Sequence, residues 1–169
     1  MNLILFGFKA SGKTYFARRL SDLLKRTFID TDELMKEEIG AALSISQIYK
    51  KLGEKGFREL EAKKIGELSP HPIIAVGGGA VLNPASVKHL QTLGQLVYLQ
   101  TSFETVRDRI LKGPIPAFLD SKHLLDSLYQ LYQERCLIYK TLPALRMDVD
   151  KLSEEAILGQ LKGVFFDGF

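Results

Sequence analysis

The sequence has one cysteine, no long run of like charges and no long apolar stretch. Because Cys136 is the single cysteine among 169 residues, an internal disulfide is excluded, and a reducing compartment such as the cytoplasm is expected. No five like charges follow one another and 23 basic residues nearly balance 20 acidic ones, so no nucleic-acid or membrane partner is expected. The apolar stretch at residues 3–8 is too short for a signal-peptide core or a membrane span.

The composition is that of an ordinary folded domain, with 46% apolar and 25% charged residues, which excludes a disordered or fibrous chain. Short apolar runs predict buried strands at 3–6, 27–29, 73–76 and 96–99, with a weaker fifth at 145–149. Helix-period segments lie between and after them, at 13–26, 32–39, 44–51, 54–68, 84–93, 103–111, 124–141 and 153–164. This alternation predicts a doubly wound α/β fold whose five-stranded parallel sheet is covered on both faces.

Two segments depart from strict alternation within this single predicted domain, residues 1–169. Residues 32–68 contain helices and no strand, which predicts a helical insertion suited to bind a substrate. Residues 111–123 hold a glycine and two prolines between helices, which is consistent with a mobile lid or a plain connector. The remaining core is about 1–31, 70–110 and 136–169.

The first predicted strand runs into residues 7–14, Gly-Phe-Lys-Ala-Ser-Gly-Lys-Thr, which match the phosphate-loop pattern GxxxxGK[ST]. Glycines let consecutive amides close around a polyphosphate, and the following helix directs its positive end at the phosphates. In this pattern Lys13 reaches the β and γ phosphates of a nucleotide, and the hydroxyl of Thr14 binds Mg²⁺. The residues expected to bind ATP are Ala10, Ser11, Gly12, Lys13, Thr14 and Tyr15.

Two carboxylates, Asp30 and Asp32, follow the second predicted strand. Ligands of open α/β sheets bind beyond the carboxyl ends of the strands, and residues two apart at a strand end face the same way. One carboxylate can hold Mg²⁺ through water, and the other can accept a hydroxyl proton from an acceptor. The alternative is a helix N-cap formed by Thr31 or Asp32.

The third predicted strand ends in Gly77, Gly78 and Gly79, where a substrate can lie against bare amides, although a simple tight turn needs the same residues. Arg58 and Arg135 can each bind a carboxylate through two parallel hydrogen bonds, but by themselves both are consistent with surface residues.

Taken in order, the phosphate loop, Asp-Thr-Asp, Phe57-Arg58, the three glycines and a late arginine before a tyrosine resemble the shikimate kinase family, a family of P-loop kinases. The resemblance extends from the start of the chain to about residue 160. It implies ATP-dependent, Mg²⁺-dependent phosphorylation of the 3-hydroxyl of shikimate in chorismate and aromatic amino-acid biosynthesis, by a monomer.

The resemblance also implies residue roles. Lys13 and Asp32 would be catalytic, with Asp32 gripping the shikimate hydroxyls, while Thr14 and, through water, Asp30 would hold the metal. The implied substrate site consists of Asp32, Arg58, Gly77, Gly78, Gly79 and Arg135.

The sequence departs from this family at the lid, where relatives carry an arginine before a proline and this chain has Ile115. The candidates to supply the missing charge are Lys112, Arg107 and Arg109. The departure keeps two other functions open: a kinase for another small metabolite or a nucleoside monophosphate, and a nucleotide-binding domain with impaired catalysis.

Overall fold

The computed structural model describes residues 2–167 and confirms the predicted fold, a five-stranded parallel sheet in the order β2-β3-β1-β4-β5 with helices on both faces. The strands are β1 (Leu3–Phe6), β2 (Phe28–Asp30), β3 (Ile73–Ala75), β4 (Gln95–Gln100) and β5 (Leu145–Asp148). The helices are α1 (Lys13–Leu24), α2 (Thr31–Ile39), α3 (Ile45–Gly66), α4 (Pro84–Leu93), α5 (Phe103–Leu111), α6 (Leu124–Thr141) and α7 (Glu154–Asp167), with a 3₁₀ turn at Ala80–Leu82.

The central strand β1 shows why the strands are apolar on both faces. Ile4 and Phe6 belong to the apolar core on one side of the sheet, whereas Leu3 and Leu5 belong to the core on the other side. All four side chains are fully buried. Because alternate residues of a strand point to opposite faces, two covered faces require a continuous apolar run.

The segment predicted as a helical insertion has its own small core, in which Met35, Ile48, Phe57 and Leu60 pack together between α2 and α3. The two helices predicted at 44–51 and 54–68 join end to end in α3, with a kink at Gly53. Gly53 has φ 69° and ψ 174°, a conformation that favours glycine, so the kink occurs where the sequence breaks the helical pattern.

The second strand ends one residue later than predicted, and this changes the geometry of the acidic pair. Asp30 is the last residue of β2 and the N-cap of α2, where its carboxylate accepts a hydrogen bond from the Asp32 amide at 3.0 Å. Asp32 therefore lies on the first turn of α2. The argument that alternation along a strand makes both carboxylates face one way is wrong, and so is the alternative that placed the cap at Thr31 or Asp32.

Candidate active site

The phosphate loop connects β1 to α1 at the carboxyl edge of the sheet. Gly7 and Gly12 have φ angles of 154° and 95°, and a Cβ at Gly7 would stand 2.7 Å from the carbonyl oxygen of Leu99. No side chain caps the start of α1. Since the first amides of a helix have no intrahelical acceptor, those at this end are available to an anion, and the helix dipole favours negative charge there.

Lys13 is the first residue of α1, and its side chain binds the loop that precedes it. Its Nζ donates to the carbonyl oxygens of Gly7 at 3.0 Å and Phe8 at 2.8 Å. Burial lowers the pKa of Lys13 to about 8, although the carboxylates of Asp32 and Asp30 oppose this shift. A nucleotide phosphate would add negative charge and stabilise the ammonium form.

Two hydroxyl groups of the loop fit a bound nucleotide and its metal. Ser11 Oγ is buried and has no hydrogen-bond partner in the described residues, so the cradle contains an unsatisfied polar atom. The Thr14 hydroxyl donates to Asp30 Oδ2 at 2.6 Å. A hydroxyl beside a carboxylate at a phosphate site is the set of oxygen ligands, direct or through water, that Mg²⁺ takes.

Asp32 lies between the phosphate loop and the glycine turn. Burial is the main cause that raises the pKa of Asp32 to about 6, and the negative charge of Asp30 adds to it while Lys13 opposes it. Asp32 is therefore mostly ionised at neutral pH, with a proton affinity close to that of an effective general base.

Side chains of the site approach the backbone of Gly77 and Gly79 closely. A Cβ on Gly79 would stand 1.8 Å from Arg58 Nη1, and a Cβ on Gly77 would stand 3.0 Å from Asp32 Oδ1. The Gly77 amide also donates to the Thr31 hydroxyl at 3.0 Å. The turn thus brings together the first turn of α2 and the arginine of α3.

Each arginine is held in place by a different interaction. Arg58 Nη1 donates to Glu61 Oε2 at 2.7 Å, and Glu61 is only 4% exposed. Arg135 is 5% exposed, and its guanidinium lies over the rings of Phe8 and Phe118 at 5.6 and 5.3 Å. Its Nε has no partner in the described residues, and burial lowers the pKa of Arg135.

These groups surround one cavity of about 130 Å³ that opens onto the phosphate loop. Its walls include Lys13, Thr14, Asp32, Arg58, Glu61, Gly77, Gly78, Gly79 and Arg135. Two guanidinium groups and two carboxylates, Asp32 and the Arg58-bound Glu61, thus share one small space beside the phosphate loop, which suits an acidic acceptor that carries hydroxyl groups.

The cavity also contains residues that sequence reasoning did not assign to it. Pro116, Ala117 and Phe118 of the predicted lid line it, as do Tyr49 of α3 and Lys9, and the Tyr49 ring contacts that of Phe118. The position of Lys9 inside the phosphate-loop pattern was a usable signal. Tyr49 and Phe118 had none, because their part in the cavity depends on the packing of α3 against the lid.

The three candidates for the missing lid charge lie in different places. Arg109 Nη1 donates to the Ala10 carbonyl at 2.8 Å, on the side of the phosphate loop away from the acceptor cavity. There it borders a second depression together with Tyr15, whose hydroxyl donates to Glu154. Arg107 pairs with Asp108 at 2.7 Å, and Lys112 is exposed at the end of α5.

A phosphate loop after the central strand of a five-stranded parallel sheet, next to a charged acceptor cavity, defines this molecule as a P-loop kinase of small molecules. A model of the shikimate kinase family matches residues 9–164. The chain belongs to the shikimate kinase family.

Individual relatives agree with this assignment. A shikimate kinase of Legionella pneumophila (strain Corby) is 33% identical over 162 residues, which cover 95% of this chain and 91% of the relative. One from Thiobacillus denitrificans is 34% identical over 164 residues, with 96% and 88% covered.

Solved structures give the same result. The shikimate kinase of Acinetobacter baumannii in complex with shikimate has a TM-score of 0.86 and 26% identity, covering 98% of this chain and 93% of that one. The enzyme of Aquifex aeolicus has a TM-score of 0.72 and 31% identity, covering 96% and 97%. Within residues 2–167, no helix has the length and apolar character needed to cross a membrane.

Proposed function

We propose that the protein phosphorylates the 3-hydroxyl group of shikimate with ATP, a step of chorismate and aromatic amino-acid biosynthesis, and that it acts in the cytoplasm as a monomer. The observation that carries the proposal is the convergence of Arg58, Arg135 and Asp32 in one cavity beside the phosphate loop. The relative from Acinetobacter baumannii binds shikimate, which supports the same acceptor for this chain.

On the nucleotide side, residues 10–15 would hold the phosphates of ATP through the free amides at the start of α1. Lys13 would exchange the carbonyls of Gly7 and Phe8 for the β and γ phosphates. The Thr14 hydroxyl would bind Mg²⁺ directly and Asp30 would hold it through water. When bound, the metal neutralises charge that develops on the phosphate oxygens.

On the acceptor side, the guanidinium groups of Arg58 and Arg135 would bind the carboxylate of shikimate. Asp32 would hold the hydroxyl groups and accept the proton of the one that reacts, because its carboxylate faces both the cavity and the phosphate loop. Gly77, Gly78 and Gly79 would close the pocket against the ring. Phosphoryl transfer depends mainly on such positioning and charge stabilisation.

This function also gives the parts of the single domain their tasks. The segment 32–68 would bind the acceptor, the segment 111–123 would close over it, and the rest would position the nucleotide. The aromatic contacts of Phe118 with Tyr49 and the Arg135 guanidinium support a lid that covers the acceptor cavity.

The test is to incubate the purified protein with ATP, Mg²⁺ and shikimate and to detect the product by mass spectrometry. We expect one phosphorylated shikimate and an equal amount of ADP, and neither with Lys13→Met. A panel of other hydroxy acids and nucleoside monophosphates in an ADP-release assay checks the acceptor. A faster reaction with another acceptor would overturn the proposal, as would ATP binding without turnover of any acceptor.

A further inference from the structure

The lid of this protein has no cation that faces the acceptor cavity. Its wall consists of Pro116, Ala117 and Phe118, and the preceding residue, Ile115, is 38% exposed. The basic residues in and around the lid are engaged or lie elsewhere: Arg107 pairs with Asp108, and Arg109 binds the far side of the phosphate loop. Lys112 and Lys122 are exposed and do not line the cavity. A phosphoryl group in transit carries negative charge on three oxygens and needs positive charge nearby.

The cations that do line the cavity are four, and three of them already have a partner or a defined contact. Lys13 binds loop carbonyls, Arg58 binds Glu61, and Arg135 lies between two aromatic rings. The fourth is Lys9, which is exposed and makes no hydrogen bond or ion pair with any residue from 2 to 167.

Lys9 also lines the cavity in which the reacting groups would meet. Its neighbours in the lining include Lys13, Thr14 and Asp32, the residues assigned above to the phosphates, the metal and the reacting hydroxyl. A lysine side chain is flexible, so its ammonium can follow a moving phosphoryl group as a point charge.

We propose that Lys9 binds the phosphoryl group during transfer, so that in this protein the phosphate loop itself supplies the charge that the lid lacks. The proposal rests on the function proposed above. In the step, the bond from the acceptor oxygen to the γ-phosphorus forms while the bond from that phosphorus to the β,γ-bridging oxygen breaks. The hydroxyl proton passes to Asp32, and ADP leaves with the bonding pair. During the transfer, Lys9 Nζ stabilises the negative charge on the three oxygens of the phosphoryl group.

The first measurement is the turnover of Lys9→Met with ATP and shikimate. Because the charge that this variant removes would act in the transition state, we expect kcat to fall by about 100-fold, with little change in KM for either substrate. The Lys9→Arg variant keeps a positive charge and should lose no more than about tenfold. Lys88→Met, which changes an exposed lysine of α4, is the matched control and should behave as the wild type.

The second measurement does not depend on turnover. Titration calorimetry compares the binding of Mg²⁺–ADP alone with the binding of Mg²⁺–ADP, shikimate and aluminium fluoride, which mimics the planar phosphoryl group. Lys9→Met should bind ADP as the wild type does, which also shows that it is folded, and bind the planar complex about 100-fold more weakly. A purely structural role would weaken both equally.

A lid cation provides a further check, because the double variant Lys9→Met/Ile115→Arg should regain at least about tenfold of the lost kcat. If Lys9→Met keeps kcat and planar-complex affinity within threefold of a wild type that phosphorylates shikimate, the inference about Lys9 is wrong and the proposed function stands. If the wild type forms no phosphoshikimate, the proposed function fails, and the role of Lys9 fails with it.

Discussion

The phosphate loop and the acceptor cavity lie side by side but are built in different ways. The loop is one continuous segment, 7–14, and its binding groups are backbone amides shaped by the φ angles of Gly7 and Gly12. The cavity instead collects side chains from α2, α3, the lid and α6 around a glycine turn. A backbone site is specified within a few residues, whereas a side-chain site exists only once distant elements have packed.

The two regions also differ in how they carry charge. The phosphate loop presents neutral amides and two lysines, Lys9 and Lys13, but the cavity buries Glu61 and Arg135 and raises the pKa of Asp32. Burying charge costs free energy unless each group finds a partner. We therefore expect that the buried charges that serve activity in the cavity lower the stability of the fold. We also expect single substitutions in the cavity to change acceptor binding without changing nucleotide binding.

Substitution at Asp32 should have the largest effect. Asp32→Asn keeps the shape of the side chain but removes the group that accepts the hydroxyl proton, so kcat should fall by about 10²–10⁴-fold. In the wild type, kcat/KM for the acceptor should fall as the pH drops below about 6, because protonation of Asp32 removes the base. Steady-state kinetics from pH 5 to about 8 test both expectations. Glu33→Gln, at the next and exposed position, is the control and should retain full activity.

Removal of a guanidinium should separate the two regions most clearly. Arg58→Ala should raise KM for shikimate by about 10- to 100-fold, the equivalent of one charge-assisted interaction, and leave KM for ATP nearly unchanged. Initial rates with each substrate varied in turn measure the two constants. Lys55→Ala, on the exposed side of the same helix, serves as control. An equal rise in both KM values would show that Arg58 does not bind the acceptor.

A methyl group on the glycine turn should have a smaller effect of the same kind. Gly79→Ala places a Cβ 1.8 Å from the present position of Arg58 Nη1, so the flexible guanidinium must move and KM for shikimate should rise by about tenfold. In the Arg58→Ala background the same change should add little, because the group that it displaces is gone. Gly66→Ala, where nothing lies within 4 Å, is the matched control. Additive effects in the double variant would contradict the mechanism.

The smallest expected effect is on the free energy of unfolding, which substitution of Asp32 should increase. The pKa of Asp32 is about 6 in the folded protein against an ordinary 3.8, so ionised Asp32 destabilises the fold above pH 6. As the pH falls through 6 toward 4, the folded state takes up the proton first and this cost disappears. Asp32→Asn should therefore raise the free energy of unfolding by about 1–3 kcal/mol at pH 7.5 and hardly change it near pH 4. Urea unfolding at both pH values measures this, and an equal gain at both would refute it.

Sequence reasoning predicted the sheet and its helices closely because apolar runs and helical periodicity are local. The bounds of α4, α5 and α6 were predicted correctly, and the break at Gly53 was predicted as the boundary between two helices. The end of β2 was misplaced by one residue, since the N-cap at Asp30 depends on its hydrogen bond to the Asp32 amide rather than on apolar pattern.

The candidate site was less accessible to sequence reasoning. Nothing in the local sequence distinguishes Arg58 and Arg135 from surface arginines. Only the resemblance to a family identified them as residues of the substrate site. Their burial and their partners, Glu61 in one case and two aromatic rings in the other, follow from the packing of α3, α6 and the lid. The place of Lys9 in the lining of the cavity was likewise not predicted.

The local sequence was enough to determine the strands, the helices and the phosphate loop, because each depends on the φ angles and apolar faces of residues that are neighbours in the chain. The tertiary structure alone decided which charged side chains meet in the acceptor cavity, Lys9 among them. Those outcomes depend on contacts between residues as far apart as Gly78 and Arg135, and on the burial that shifts the pKa of Asp32. Such contacts form only when the helices have packed onto the sheet.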